Sequence, residues 1–131
     1  MKNLDQLKTF SDASKLLKLD PKKVIPDFKN FPTRDRKAMV AHAKLVVIAR
    51  AANKIGNGGK EWKPDWSNPK QYKYYPWFYL DGGSSGFRFY DCDYWHSFSL
   101  VGSRLCFVTP DVSEYVAKQF IDLYKAYFLI K

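Results

Sequence analysis

Residues 34–55 run for 22 positions without a proline or a glycine, preceded by Pro32 and Thr33 and followed by Gly56. Within the run Met39, Val40, Ala43, Val46 and Val47 recur at helical spacing, and Ala41, Leu45, Ile48 and Ala52 widen the stripe. A helix of this length is about 33 Å long, and its apolar side must be covered, so the rest of the chain has to build around it. Thr33 is placed to cap the helix and Gly56 to stop it. Its polar strip includes Arg36, Lys37 and Lys44. His42 lies mid-helix among apolar neighbours and reads as a structural histidine.

The segments on either side of this helix differ in period. Upstream, Ala13, Leu16 and Leu17 predict a short helix over Ser11–Leu19 with Thr9 or Ser11 as its cap. Asp20-Pro21 predicts a further short helical turn, and Pro26 and Pro32 bracket a connector. Downstream come a flexible glycine-rich loop at 56–59 and irregular, turn-rich chain around Trp62-Lys-Pro-Asp-Trp66 and Asn68-Pro69. After them, Tyr72–Leu80, Phe87–Tyr90, Tyr94–Val101 and Arg104–Val108 are aromatic or β-branched runs expected as strands. Pro76 cannot donate to a ladder, so the first run is an edge strand or carries a bulge. The loop Asp81–Gly86 is the most flexible part of this region by composition. Thr109 and Pro110 then open a closing helix whose apolar face is Val112, Val116, Phe120, Leu123 and Tyr127, with Glu114 and Lys118 paired at i,i+4 on its outer side. This order predicts a single α+β domain over residues 1–131. Helices from 1–55 and a closing helix over 109–129 pack on a small antiparallel sheet formed by 72–108.

Composition narrows the class. With 46% apolar and 27% charged residues the chain is globular, neither disordered nor fibrous. No apolar run approaches the ~20 residues that span a bilayer, so no membrane partner is expected. Met1–Phe10 carries Asp5 and lacks the apolar run of a signal peptide, which predicts a cytoplasmic protein. Two cysteines, Cys92 and Cys106, are too few for a disulfide framework and lack CxxC spacing, so both are expected as reduced, buried thiols. The departures from average are a net charge of +9 and 18% aromatics. Residues 1–80 hold 17 of the 22 Lys and Arg but only 7 of the 13 Asp and Glu, so the basic surplus is confined there. Fifteen of the 23 aromatics fall between Trp62 and Phe107, and the two distributions overlap where Lys60, Lys63, Lys70 and Lys73 interleave with Trp62, Trp66 and Tyr72.

Enzyme signatures are sparse. There is no phosphate-cradling GxxxxGK[ST], no GxGxxG after a strand and no HExxH, and no cofactor or metal is expected. Asp91, Asp93 and His96 offer two carboxylates and an imidazole within six residues, but no fourth ligand is at hand, and a solvated acidic turn accounts for them. The aromatic block has two readings. Its rings form the core of a sheet poor in Leu and Ile, or one face of them is exposed for stacking. Along the first strand Tyr75, Trp77 and Tyr79 share one face, and Tyr74, Phe78 and Leu80 the other.

The strings Trp62-Lys-Pro-Asp-Trp66, Lys73-Tyr-Tyr-Pro-Trp-Phe78, Ser85-Gly-Phe87, Val101-Gly-Ser-Arg-Leu-Cys-Phe107 and Ala117-Lys-Gln-Phe-Ile-Asp-Leu-Tyr-Lys125 resemble a family of small uncharacterised proteins from phages and prophages of gut Bacteroidales, from about Ser11 onward. The resemblance implies a phage or mobile-element protein working in the host bacterial cytoplasm or in the virion, and it attaches no activity. The residues themselves point to a non-enzymatic module that binds nucleic acid, single-stranded DNA or RNA, through an aromatic face rimmed by lysines. The candidate contacts are Lys60, Trp62, Lys63, Trp66, Lys70, Tyr72, Lys73, Tyr75, Trp77 and Arg88. The alternative is a phage structural or host-directed protein whose aromatic surface is a protein–protein interface.

Overall fold

The computed structural model describes residues 4–80 and 86–130. The expected flexible loop at 81–86 lies outside them, apart from Gly86 at its end. The first helix, α1 (Phe10–Leu16), starts on a reciprocal cap. Thr9 Oγ1 accepts the Asp12 N–H at 3.1 Å, and the Asp12 carboxylate accepts the N–H groups of Thr9 and Lys8, both at 3.0 Å. The helix ends sooner than its apolar spacing predicts. Lys18 turns into the left-handed region (φ 62°), its N–H donates to the Lys15 carbonyl (3.0 Å), and the Leu19 N–H donates to Ser14 (2.8 Å). That closure satisfies the last carbonyls and turns the chain away. Asp20-Pro21 opens one helical turn, with Asp20 Oδ1 accepting the Lys22 N–H (2.9 Å) as a cap and the Asp20 carbonyl accepting the N–H groups of Lys23 and Val24 (both 3.0 Å), but the turn does not extend into a helix before Pro26.

The long helix, α2 (Arg36–Gly56), has its expected length, but Thr33 does not cap it. Thr33–Asp35 is a 3₁₀ turn leading into the helix, and the side chain of Asp35 at the N-cap makes no capping hydrogen bond to the first turn. The deepest side chains are Ala41, Leu45, Ile48, Ala49, Ala51 and Ala52, while the expected central stripe of Met39, Val40, Ala43, Val46 and Val47 is half-buried. The core thus lies on the flank of the stripe, since α2 packs against α1 on one side and against the C-terminal helices on others. Gly56 is the last helical residue. A Cβ there would fall 2.7 Å from Val112 Cγ2 and 2.9 Å from Val108 Cγ1, so close packing requires the glycine.

Two strands form the sheet, β1 (Lys73–Tyr79) and β2 (Arg88–Trp95), antiparallel and paired from Lys73↔Trp95 to Tyr79↔Arg88. The pairing steps from Trp77↔Asp91 to Phe78↔Phe89, which leaves Tyr90 as the extra residue of a bulge. Two of the four expected strands are therefore one: Phe87–Tyr90 continues through Asp91–Asp93, where an acidic turn was expected. Of Arg104–Val108 only an isolated bridge remains, with Tyr74 N–H to Phe107 O at 3.0 Å and the reverse bond at 2.7 Å. The ladder cannot extend past Tyr74 on that edge because Pro76, two residues on, has no N–H to offer. The expected strand Tyr94–Val101 ends at Trp95, and residues 96–103 carry no strand.

Thr109 caps α3 (Pro110–Gln119), its Oγ1 accepting the Val112 N–H at 3.2 Å. The single closing helix is in fact two, because Phe120 (φ −115°, ψ 32°) breaks it before α4 (Ile121–Phe128). The buried face keeps a four-residue spacing through the break. Val112, Val116 and Phe120 are buried as expected, but Tyr124 replaces Leu123 and Tyr127 at the core. α3 packs on both strands, and Phe78 packs against Tyr124 (ring centroids 4.7 Å) and Phe128 (5.6 Å). The result is an α+β arrangement with helices against the Tyr74–Phe78 side of a two-stranded hairpin. Asn53 of α2 joins the layers, donating to the Cys106 carbonyl and accepting the Val108 N–H, both at 2.9 Å.

Candidate nucleic-acid interface

The ten candidate residues do not share one face. Lys73 lies inside the protein at 1% exposure. Its Nζ donates to the backbone carbonyls of Asp65 (2.6 Å), Asn68 (3.1 Å) and His96 (2.8 Å) and sits 5.1 Å from the Trp66 ring centre. All three donors of the ammonium are thereby used. Lys73 is a staple between the 65–68 turn and the end of β2, and it does not reach a phosphate. Tyr75, at 4% exposure, stacks on Trp95 (6.3 Å, 3° between planes) and is likewise removed from the surface. Trp66 is half-buried, with its Nε1 donating to Ser103 Oγ at 2.7 Å. The even alternation of β1 held no sign of this, since Lys73 is covered by irregular chain and Tyr75 by Trp95 of the other strand.

The remaining candidates fall into three groups. Tyr72 is exposed and stacks on Tyr94 (4.3 Å, 23°), with Tyr74 and His96 close by and Lys70 two residues upstream. On the other face of the hairpin, Trp77 is 47% exposed, and the Arg88 guanidinium lies 4.0 Å from the centre of the Tyr79 ring, which also meets Tyr90 edge-on. Two carboxylates share this second face, Asp91 opposite Trp77 and Asp93 opposite Tyr75, and they oppose an approaching phosphate. Lys60, Trp62 and Lys63 lie elsewhere, in the chain that follows α2. Lys60 is exposed near the loop, and the other two line a cleft.

That cleft, of about 520 Å³, is where candidate residues meet further cations. One wall is the C-terminal half of α2, with Val46, Arg50 and Asn53; the other is Glu61–Pro64, and Ser103 and Arg104 close the end. The half-buried indole of Trp62 forms part of its lining. Three cations, Arg50, Lys63 and Arg104, face one carboxylate, Glu61, which accepts from Arg50 Nε at 2.7 Å. The Trp66–Ser103 hydrogen bond fixes the backbone beside Arg104, and the Asn53 bonds to Cys106 and Val108 fix the segment that follows. The cleft therefore presents an aromatic surface and a surplus of two positive charges on a braced frame. Arg50 and Arg104 were missed in the sequence because 54 positions separate them, and no local pattern brings them together.

The acidic cluster is engaged in the backbone. Asp91 Oδ1 accepts the Cys92 N–H and Asp93 Oδ1 accepts the Tyr94 N–H, both at 2.8 Å, and no group of three or more His, Cys, Asp or Glu converges among the described residues. Cys92 and Cys106 are free thiols. Burial raises the pKa of both, Cys106 to about 11, which leaves them protonated and unreactive near neutrality. Among the described residues no helix is long and apolar enough to cross a membrane. Compared with protein-family models, with curated proteins and with solved structures, the chain matches none of the three. Its function rests on the geometry of its own residues.

Proposed function

We propose that this protein is a non-enzymatic nucleic-acid-binding module that holds a single strand in the cleft between α2 and the 61–64 segment. A base stacks on Trp62, and Lys63 and Arg104 take the adjacent phosphates, with Arg50 adding to the field. The observation that carries this reading is the cleft itself, an indole set among three cations and one carboxylate in a chain of net charge +9. Tyr72, just before β1, and Tyr94 of β2 stack on each other and are exposed, which offers a second, separate aromatic surface to a longer strand. The setting this reading fits is a phage or mobile element in a bacterial cytoplasm or a virion, as the resemblance implies.

Fluorescence anisotropy with labelled single-stranded DNA, single-stranded RNA and duplex DNA tests it. Two to three phosphate contacts on a single strand predict affinity falling about seven- to twenty-fold between about 50 and about 200 mM salt. Trp62→Ala should weaken binding by about 1–3 kcal/mol, the usual worth of one stacked base. Lys63→Ala with Arg104→Ala should flatten the salt dependence. Affinity that ignores salt, or that survives both changes, overturns the reading and favours a protein partner for the aromatic surface.

A further inference from the structure

A second concave surface lies at the N-terminal half of α2 and shares no residue with the cleft. There α2 and α4 pack over small side chains, Ala38 and Ala41 on one helix and Ala126 on the other, beside a groove of about 720 Å³. Its sides are apolar, built from Val40, Leu123, Tyr127 and Ile130, and Ile130 stands 74% exposed at the edge. The rim is charged. Arg34, Lys37, Lys44 and Lys125 surround the groove against two carboxylates, Asp35 and Asp122. Arg34 already donates to Asp35 (3.3 Å), and Lys44 reaches over the Phe10 ring (5.5 Å). Lys37 and Lys125, one on each helix, take part in no ion pair among the described residues.

An apolar trough between two helices with an unpaired ammonium on each bank complements an amphipathic helix whose apolar stripe is flanked on both sides by Glu or Asp. The lining holds two aromatic rings, Tyr127 packed against His42 at 4.4 Å and Phe31 edge-on to Phe28 at 6.0 Å, and the rest of the trough is aliphatic, so charge and shape together favour a peptide over a nucleic acid. We propose that the α2–α4 groove docks an acidic amphipathic helix of a partner protein, independently of the nucleic-acid cleft.

The test uses the full chain and a labelled peptide of about 18 residues, five turns of helix. Leucines repeat at i, i+3, i+4 and i+7 and glutamates flank the stripe; a second peptide replaces every glutamate with lysine. The acidic peptide should bind at least about tenfold more tightly than the basic one, a gap of about 1.4 kcal/mol. Ala126→Trp, which fills the trough, should cost at least about tenfold in affinity. Lys37→Glu with Lys125→Glu, both exposed, should reverse the preference between the peptides, and this arm decides the matter if Ala126→Trp does not fold. Lys63→Ala with Arg104→Ala should leave peptide binding intact. Equal binding of the two peptides, no reversal, or loss of binding with the cleft variant overturns the proposal. So does a self-association abolished by Lys37→Glu with Lys125→Glu, which would make a second copy the occupant.

Discussion

Lys73 shows how one side chain can change role between a list of residues and a fold. On an alternating strand beside tryptophans it resembles a phosphate ligand, yet its ammonium closes three partly buried backbone carbonyls from beneath the surface turns. An unpaired carbonyl in such a place costs about 1–3 kcal/mol. Lys73→Met keeps the aliphatic stem and strips the donors, so it should lower unfolding free energy by about 2–4 kcal/mol in urea titration. Lys63→Met, at an exposed position in the cleft, should stay within about 0.5 kcal/mol of the parent while weakening nucleic-acid binding. A Lys73→Met protein of parental stability that had lost affinity would return Lys73 to the surface.

At the scale of elements, the hairpin has one protected edge and one open edge. Because Tyr74 bonds outward to Phe107, its cross-strand partner Tyr94 faces the free side of β2, and so does Cys92 opposite Pro76. The N–H groups of Cys92 and Tyr94 are the ones taken by the Asp91 and Asp93 carboxylates. Two acidic side chains thus blunt an edge that would otherwise pair with another strand. Asp91→Val with Asp93→Val should raise the weight-average mass in sedimentation equilibrium as concentration increases, relative to the parent. An unchanged mass would show that the bulge at Tyr90 protects the edge without the carboxylates.

For the whole molecule, pH sensitivity follows from groups whose ionisation differs between folded and unfolded chains. Burial lowers the pKa of His42 below its usual 6.5, and its buried Nδ1 has no hydrogen-bond partner among the described residues. The folded chain therefore binds a proton less readily than the unfolded one, so stability is complete above pH 6.5 and declines as pH falls toward the folded-state value. Asp12 and Asp65 act at lower pH. Donation from the Lys8 N–H to Asp12, and from Ser67 Oγ–H to Asp65, depresses both carboxyls below 3.8, so what they contribute is lost as pH falls through their folded-state values. Thermal unfolding should show a midpoint that drops between pH 7 and pH 5, and His42→Gln should flatten that drop while leaving the acid limb below pH 4. A parental slope in His42→Gln would assign the decline to another group.

What the amino-acid order determined by itself was local. Thr9 with Asp12, Thr109 with Pro110 and the uninterrupted run before Gly56 specify two helix starts and one helix length through bonds a few residues apart, and the aromatic runs at 73–79 and 88–90 specify extended chain. Together these led to the α+β class. Whatever depends on groups distant in the chain was decided only by tertiary structure. Asp91–Asp93 extends as strand because Tyr75, Pro76 and Trp77 lie opposite; the closing helix breaks at Phe120, where no local signal marks it; Lys73 is buried because the 65–68 turn folds over it. The cleft is the same case, joining Arg50, Trp62 and Arg104 from three segments. A helix cap needs only its neighbours, whereas burial and charge clustering are properties of surfaces that meet only once the chain has closed.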